Sequence, residues 1–372
     1  MKFKVNRKEF YQALQSIIGV VPLKTTVPIL SDILLDLENN QLTLTGTDLE
    51  VSISTKITVQ GEVSGAVAIP AKVLYEIVRE LPDIPMELQV DEENKVTLST
   101  EKGLYRIAGE PHDDFPKISM EKTLGYFTIS GERLARMIEK TIFAVSADEL
   151  RTTLMGVLLQ ITESDLRMVS TDGHRLVKIV NTDFHSPDFQ IETIVPTKAL
   201  NLMLKNNPDR EDVKVEIGDD HIVFNLNNTT IFSKSIEGQF PNYERVIPVD
   251  NDRNLVVNKE LLSSSVRRVA IFSNSITHQI RFSISANLVK IQSEDIEFGG
   301  EAREEIVAEY QGDDVEIGYN ANYVLDVLRH LDSDEVIFKL KDSTSAGIIT
   351  PVLQKENEEV LMLLMPIRLN DE

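Results

Sequence analysis

The feature of this 372-residue sequence that most restricts its fold is an internal repeat with a period of about 124 residues. Two alternating apolar runs, separated by a polar turn, begin at Ile33, at Val157 and at Ile280, so the starts lie 124 and 123 residues apart. Alternation with a period of two indicates half-buried strands, and each copy therefore predicts a β-hairpin. A long repeat of this kind predicts several domains of one topology.

Further landmarks recur at the same distance along the chain. The segment Ile-Pro-Ala-Lys at 69–72 returns as Val-Pro-Thr-Lys at 195–198, and the Phe-Pro pair at 115–116 returns at 240–241. Segments that open at 3, 127 and 255 each show a short strand that leads into a helix. The sequence therefore predicts an α+β chain of three repeated domains, each with two helices packed on antiparallel sheets. The predicted domains are residues 1–120, 121–250 and 251–372.

The helices carry charge of the opposite sign to the rest of the chain. Apolar periodicity places six helices in the windows 6–18, 71–81, 131–142, 197–206, 258–269 and 321–331. These windows hold 13 basic and 7 acidic residues, whereas the remainder holds 25 basic and 53 acidic residues. The formal net charge of -22 argues against nucleic-acid binding, but this segregation favours a common basic surface that attracts phosphates. The alternative is that lysine and arginine, as good helix formers, only decorate solvated faces.

Basic residues at helical spacings share the faces opposite the apolar stripes. Arg136 and Lys140 lie three and seven positions after Arg133, and Lys205 lies seven positions after Lys198. Residues at these spacings share one face of a helix. We expect such residues to face DNA. The DNA-facing residues predicted on the helices are Arg7, Lys72, Arg79, Arg133, Arg136, Lys140, Lys198, Lys205, Lys259 and Arg267.

Several classes of function are disfavoured. Cysteine is absent, which removes disulfides and thiolate chemistry and fits a reducing compartment. No apolar run resembles a signal peptide or a membrane span, so we expect a cytoplasmic protein with no membrane partner. His174 with Asp172 lacks a nucleophile elbow, and His112-Asp113-Asp114 reads as an exposed loop. We therefore expect no catalytic residue, metal or cofactor. A metal-dependent nuclease and an acidic protein-binding scaffold stay open as alternatives.

Five motifs resemble the bacterial DNA polymerase III β subunit family, the β sliding clamps. They are LTGTDLE at 44–50, VSTDGHRL at 169–176, FPNYERV at 240–246, YNANYVLDVL at 319–328 and MPIRL at 365–369. The resemblance covers the whole chain. It implies a non-catalytic processivity factor, in which two chains joined head to tail form a ring that encircles duplex DNA and slides without sequence specificity. It also implies a DNA contact at Lys24. The implied partners are the replicative polymerase, a clamp loader and other replication and repair proteins that carry short clamp-binding peptides.

The resemblance further implies a pocket for those peptides between the second and third domains. Leucine, valine and methionine provide adaptable apolar walls for such an anchor. We expect peptide carbonyls and orientation to be fixed by Arg175, Arg245, His174 and Asn320. Read alone, MPIRL would be an edge strand. The positions that match the family pocket are Leu154, Thr171, Gly173, His174, Arg175, Leu176, Pro241, Arg245, Val246, Asn320, Tyr323, Thr344, Leu363, Leu364, Met365, Pro366, Ile367, Arg368 and Leu369.

A two-chain ring needs complementary ends. The strand at 104–109 has a family counterpart that meets a helix end of the other chain, here Ile271 and Phe272. Basic residues near this strand and an acidic run at 293–305 favour head-to-tail closure, although the acidic run alone would read as a solvated loop. The predicted interface residues are Lys95, Lys102, Tyr105, Arg106, Ile107, Ile271, Phe272, Glu297, Glu301, Glu304 and Glu305.

Overall fold

Nearly the same order of elements occurs three times along the chain, and among the described residues the second repeat has one strand fewer between its two helices. The computed structural model describes residues 1–117, 123–186, 189–295 and 299–369. The first repeat contains β1 (Lys2–Asn6), α1 (Arg7–Ile17), β2 (Asp32–Glu38), β3 (Gln41–Thr47), β4 (Val51–Thr58), β5 (Gln60–Val63), β6 (Gly65–Pro70), α2 (Ala71–Glu80), β7 (Pro85–Val90), β8 (Lys95–Ser99) and β9 (Leu104–Ala108). The second contains β10 (Thr123–Ile129), α3 (Gly131–Thr141), β11 (Gly156–Ile161), β12 (Leu166–Thr171), β13 (Arg175–Asn181), β14 (Ile191–Pro196), α4 (Thr197–Asn206), β15 (Val213–Gly218), β16 (His221–Leu226) and β17 (Thr229–Lys234). The third contains β18 (Arg253–Asn258), α5 (Lys259–Val269), β19 (Gln279–Ser285), β20 (Leu288–Asp295), β21 (Gly300–Val307), β22 (Glu309–Gln311), β23 (Val315–Asn320), α6 (Ala321–Arg329), β24 (Glu335–Leu340), β25 (Gly347–Pro351) and β26 (Glu358–Leu364).

These elements confirm the predicted α+β class and the two helices of each repeat. The three predicted hairpins are β2–β3, β11–β12 and β19–β20, and all three are antiparallel. The apolar stripe of α1 is buried as expected, because Phe10, Leu14 and Ile17 are fully enclosed. The predicted joint at 120 and 121 lies outside the described residues. Within the described ranges, no helix has the length and apolar character needed to cross a bilayer.

The strands form four antiparallel sheets within the described residues, and two of these sheets pass from one repeat to the next. The order of the eight-stranded sheet is β10-β15-β16-β17-β4-β3-β2-β6, and β17 pairs with β4. The order of the nine-stranded sheet is β14-β11-β12-β13-β26-β25-β24-β18-β22, and β13 pairs with β26. The other two sheets stay within one repeat, with the orders β5-β1-β7-β8-β9 and β21-β20-β19-β23. Among the described residues, β9 and β21 are therefore outer strands.

Packing divides the chain into two compact units that do not coincide with the three repeats. One unit comprises Met1–Ala135 and Val195–Ser235, and the other comprises the described residues of Arg136–Ile194 and Ile236–Glu372. The second repeat is divided between them because each shared sheet ties part of it to a neighbouring repeat.

A cation at the start of one helix caps the end of another in the first and third repeats. Arg7 Nε donates to the Val78 carbonyl at 2.8 Å, and Arg7 Nη2 donates to the Arg79 carbonyl. Lys259 Nζ donates to the Leu331 carbonyl at 2.9 Å, just beyond α6. Carbonyls at a helix C-terminus have no donor within the helix, and a positive charge also suits that end of the helix dipole. The second repeat has glycine at the corresponding position.

Candidate peptide pocket, DNA-facing surface and chain ends

Several predicted pocket residues belong to one buried apolar cluster that combines the second and third repeats. Leu176 on β13 lies opposite Leu363 on β26, and both side chains are buried. Leu154 belongs to the same cluster, together with Phe240 and Tyr243 from the segment that connects the two repeats. Every member of this cluster is at most 9% exposed, so the cluster is a buried apolar floor with little accessible surface of its own.

Two aromatic rings and the end of β26 meet beside this floor. The His174 and Tyr323 rings lie 6.2 Å apart at an interplanar angle of 24°. The Met365 N–H donates to the His174 carbonyl at 2.8 Å. His174 is exposed, and Met365 is 42% exposed, so aromatic and apolar surface reaches solvent at this place.

Arg175 is buried, and each of its three side-chain nitrogen atoms already has a partner. Nε donates to Asp172 Oδ2 at 3.1 Å, Nη1 to Asp326 Oδ2 at 2.6 Å and Nη2 to the Phe143 carbonyl at 2.8 Å. The guanidinium carbon also lies 4.6 Å from the centre of the Tyr323 ring. This arrangement differs from the expected grip on peptide carbonyls. Arg175 instead holds α6 against the second repeat.

The turn before β13 is organised by Asp172. Its Oδ1 accepts from the N–H groups of His174 at 2.9 Å and Arg175 at 3.0 Å. Gly173 has a φ of +89°, in the left-handed region that favours glycine. The Thr171 hydroxyl donates to the Arg175 carbonyl at 2.6 Å. The carboxylate of Asp172 therefore shapes the turn that presents His174.

The C-terminal segment 365–369, called the strap below, extends from these residues to β23. The Ile367 N–H donates to the Gly318 carbonyl at 2.8 Å. A Cβ atom on Gly318 would lie 2.5 Å from the Ile367 carbonyl oxygen and 2.9 Å from Leu369 Cδ2. The strap can approach β23 this closely because residue 318 has no side chain.

The remaining predicted pocket residues have several kinds of environment. Asn320 caps α6, since its Oδ1 accepts from the Asn322 N–H at 2.9 Å and its Nδ2 donates to the Thr277 carbonyl at 3.1 Å. Thr344 is held by Asp342, whose Oδ1 accepts from the Thr344 hydroxyl at 2.9 Å. The exposed members are Pro241, Arg245, Val246, Thr344 and Arg368, Leu364 is buried, and Pro366 is partly buried.

Sequence reasoning missed the residues that hold this region together. Asp326 follows Tyr323 by three positions, so the helical period could have placed both on one face. Phe143 and Gly318 carry no such local signal, because their contacts reach far along the chain.

Some of the predicted DNA-facing cations are exposed. Lys72 is 83% exposed on its side chain and lies 4.0 Å from Glu76 of the same helix. Such exposed pairs contribute only about 0–1 kcal/mol, so they leave the cation available to an incoming phosphate. The exposed members of the set are Lys24, Lys72, Arg79, Lys205 and Arg267, and Arg133 is partly exposed.

Other members of this set bind groups within the protein. Arg7 and Lys259 cap helix ends, as described above. Lys198 forms an ion pair with Asp48 and also donates to the Val20 carbonyl at 3.2 Å. Each of these three cations already donates to an acceptor within the protein, which differs from the expected open basic face.

Arg136 and Lys140 also differ from that expectation. Lys140 is only 6% exposed and donates to Asp332 Oδ1 at 2.8 Å, and it also binds the His330 carbonyl. Burial lowers the pKa of the Lys140 amine below its ordinary value, although Asp332 favours the charged form. Arg136 binds Glu358 through Nε and Nη2, each at 2.6 Å. Both cations therefore take part in an ion-pair cluster beside the end of α6.

The predicted interface residues are found at β8, β9 and near β21. Ile271 is 77% exposed and Phe272 is 42% exposed, whereas Ile107 is buried. Glu304 binds Arg268 through both oxygens at 2.6 Å, and hydrogen bonds from Arg268 lower the Glu304 pKa to about 2. The other exposed members are Lys95, Lys102, Arg106, Glu301 and Glu305, and Tyr105 is partly exposed. Glu297 lies outside the described residues.

Comparison with known proteins decides the family. Models of the N-terminal, central and C-terminal domains of the DNA polymerase III beta subunit match residues 1–119, 128–242 and 244–368. The chain belongs to the DNA polymerase III beta subunit family. The beta sliding clamp of Pseudomonas aeruginosa is 34% identical over 373 residues, covering 99% of this chain and 100% of that relative. The beta sliding clamp of Vibrio cholerae is 31% identical over 371 residues, covering 99% and 100%.

Solved structures of sliding clamps share the fold. A crystal structure of a DnaN sliding clamp from Pseudomonas aeruginosa, bound to griselimycin, matches with a TM-score of 0.94 at 33% identity. The match covers 99% of this chain and 100% of that chain. Beta sliding clamps are the non-catalytic processivity subunit of DNA polymerase III, which confirms the predicted family, fold and function. The roles of individual residues stay predictions.

Proposed function

We propose that two copies of this chain close into a ring when β21 of one copy pairs with β9 of the other. The repeat itself carries this proposal. In each repeat the third strand after the first helix is β4, β13 or β21, and the last strand is β9, β17 or β26. Inside the chain, β4 pairs with β17 and β13 pairs with β26. Only the equivalent join between β21 and β9 needs a second copy.

The sizes of the sheets support the same join. The two sheets confined to one repeat have five and four strands. Their union would contain nine strands, as many as the sheet that joins the second and third repeats. The join would thus complete a sheet of the kind already present within the chain, and neither β9 nor β21 would be left as an unpaired edge strand.

Side chains at the two ends favour head-to-tail closure. Leu104 on β9 is 56% exposed, and Phe272 beside β21 is 42% exposed, so each end offers apolar surface. Arg106 lies on β9, whereas Glu301 and Glu305 are exposed on β21. Pairing β21 with a second β21 would bring like charges together, which is unfavourable. Backbone pairing and apolar burial provide most of the stability, because exposed ion pairs contribute only about 0–1 kcal/mol each.

Replacing Phe272 by aspartate tests this interface. A charge in the apolar contact should yield monomers in analytical ultracentrifugation. Leu353 is a matched control, since it is 81% exposed in the loop between β25 and β26 and lies outside the proposed join. Leu353→Asp should stay dimeric. A dimer that persists in Phe272→Asp would contradict the proposed contact.

In the proposed ring, exposed helix cations such as Lys72 and Lys205 attract duplex DNA without reading bases. The acidic remainder of the chain repels DNA from other surfaces. Topological enclosure then provides processivity, and an ATP-driven loader and the replicative polymerase are the expected partners in the bacterial cytoplasm. A ring loaded on closed circular DNA should remain there and be lost once the circle is linearised. Retention on linear DNA would refute sliding enclosure.

Partner peptides are proposed to bind over the cluster of Leu154, Leu176 and Leu363. Exposed apolar side chains beside this cluster, Val246 at 54% and Met365 at 42%, support the proposal because such patches mark interaction sites. Deleting residues 365–372 should abolish binding of a labelled peptide with apolar and aromatic anchors while the dimer persists. Unchanged peptide affinity would rule out the strap as part of the pocket.

A further inference from the structure

Three cations beside the end of α6 converge on a single carboxylate. Asp332 Oδ1 accepts from Lys140 Nζ at 2.8 Å, and Oδ2 lies 2.5 Å from Arg136 Nη1 and 3.8 Å from Lys355 Nζ. We infer that Arg136, Lys140 and Lys355 form a site for a phosphate of duplex DNA, and that Asp332 occupies this site when DNA is absent. Asp332 is then a tethered competitor of the DNA backbone.

Two of the three cations have a partner besides Asp332, since Arg136 binds Glu358 and Lys140 binds the His330 carbonyl. Glu358 binds Nε and Nη2 of Arg136 at 2.6 Å each, which leaves Nη1 directed at Asp332. Lys140 is only 6% exposed, and an anion interacts more strongly with a cation that is shielded from water. Without Asp332, the charged side chains that line the cavity would be three cations and three carboxylates, Asp334, Glu335 and Glu358, so the cavity would change from net negative to neutral. The three cations would also lose the acceptor that they share, which would leave its place to an incoming anion.

The cluster lies in a cavity that is open to solvent and large enough for a phosphate group. The cluster lines a cavity of about 430 Å³ that also includes Pro351 and Val352. The side chains of Asp332 and Lys355 are 46% and 57% exposed, so the entrance faces solvent. Carboxylate and phosphate oxygens accept from the same guanidinium and ammonium donors. A backbone phosphate can therefore take the place of Asp332 when that side chain turns outward.

This inference rests on the proposed DNA-facing surface, to which Arg136 and Lys140 were assigned. A phosphate must displace Asp332 before it reaches the cations, so the net gain from this contact is small. Weak contacts suit a protein that must move along DNA while it encloses it. A purely structural ion-pair cluster, in contrast, predicts no specific effect of Asp332 on DNA affinity.

Two isosteric variants distinguish a phosphate site from a purely structural ion-pair cluster. Asp332→Asn removes the charge of the competing carboxylate, whereas Asp314→Asn removes one carboxylate charge from an exposed side chain of the third repeat that lies outside the cavity. Fluorescence anisotropy of a labelled duplex, titrated with the full chain at 50 and 200 mM NaCl, reports the affinity. One additional phosphate contact adds roughly 0.9 to the salt slope, so the advantage of Asp332→Asn should fall about threefold between these salt concentrations. Equal affinities and slopes for both variants would overturn the inference.

Two further variants keep the test decisive if Asp332→Asn does not fold. Lys355 and Lys341 are both exposed lysines of the third repeat. Lys355→Glu replaces one of the three cations by a carboxylate and should weaken duplex binding more than Lys341→Glu. Equal weakening would contradict a specific phosphate contact.

Inorganic phosphate, added at constant ionic strength, distinguishes a free anion from DNA. An increase in the melting temperature of Asp332→Asn with phosphate, without a gain in duplex affinity, would assign the site to small anions and refute the DNA contact. Absence of salt-dependent duplex binding by the unaltered chain would instead contradict the proposed DNA-facing surface.

Discussion

Replacing Gly318 by alanine should release the strap from β23 and weaken peptide binding. The added Cβ would lie 2.5 Å from the Ile367 carbonyl oxygen, and a Cβ does not approach backbone so closely. Both β23 and the strap are backbone at this point, so no flexible side chain can move aside. The two segments must separate, and the hydrogen bond from Ile367 to Gly318, now 2.8 Å, would be lost.

The size of the effect follows from what is lost. One backbone hydrogen bond contributes about 0.5–1.5 kcal/mol net, and the contact of Leu369 with β23 adds a similar amount of apolar burial. When the strap is destabilised by about 1–2 kcal/mol, the ratio of attached to detached strap falls roughly 5–30-fold. Since the strap includes Met365 and Pro366 of the proposed pocket, peptide affinity should fall with the attached fraction, by up to about the same factor.

Fluorescence anisotropy with a labelled partner peptide measures the affinity, and hydrogen exchange of the Ile367 amide reports whether the strap has detached. A chain truncated after Leu369 is the control, because it keeps the contact with Gly318. Faster amide exchange with unchanged peptide affinity would refute the role of the strap in the pocket. An amide that stays protected in Gly318→Ala would refute the steric argument itself.

Three further predictions concern buried polar groups, and urea unfolding measures each. The Tyr319 hydroxyl is buried and has no hydrogen-bond partner among the described residues, so Tyr319→Phe should leave the free energy of unfolding unchanged or raise it. A loss above about 1 kcal/mol would reveal a missing partner. Burial and the nearby Glu110 raise the Asp32 pKa from 3.8 to about 6, so the stability present below pH 4 is lost as the pH rises through 6. Asp32→Asn should therefore stabilise the protein at pH 7.5 but not at pH 4, and an equal effect at both would refute this. Arg175→Met should cost about 3–5 kcal/mol, because Asp172 loses its buried partner. A cost below about 1 kcal/mol would show that the contact is dispensable.

The elements that follow from local pattern were predictable from the sequence. The hairpins at Ile33, Val157 and Ile280 depend on alternation within about sixteen residues, and the structure has a hairpin at each place. The buried stripe of α1 depends on the helical period alone. The order of the elements repeats because the sequence does.

Long-range partners were not predictable. Helical spacing placed Arg136 and Lys140 on one face, but their acceptors Glu358 and Asp332 lie 222 and 192 residues away. Arg175 likewise meets Asp326 at a separation of 151 residues. Periodicity shows that a side chain lies on the face of its helix opposite the apolar stripe. It does not show whether another repeat provides a carboxylate or a carbonyl at that point.

The helix caps formed by Arg7 and Lys259 have a consequence for how easily the proposed ring slides along duplex DNA. On the proposed DNA-facing surface, a guanidinium or ammonium group that is fixed on carbonyls at a helix end would not follow a phosphate as the duplex advances, so it would contribute a diffuse positive potential and no localised binding site. One-dimensional diffusion slows as the potential along the path becomes rougher. Arg7 and Lys259, which cap the C-terminal ends of α2 and α6, should therefore also keep the sliding rate along DNA close to its hydrodynamic limit.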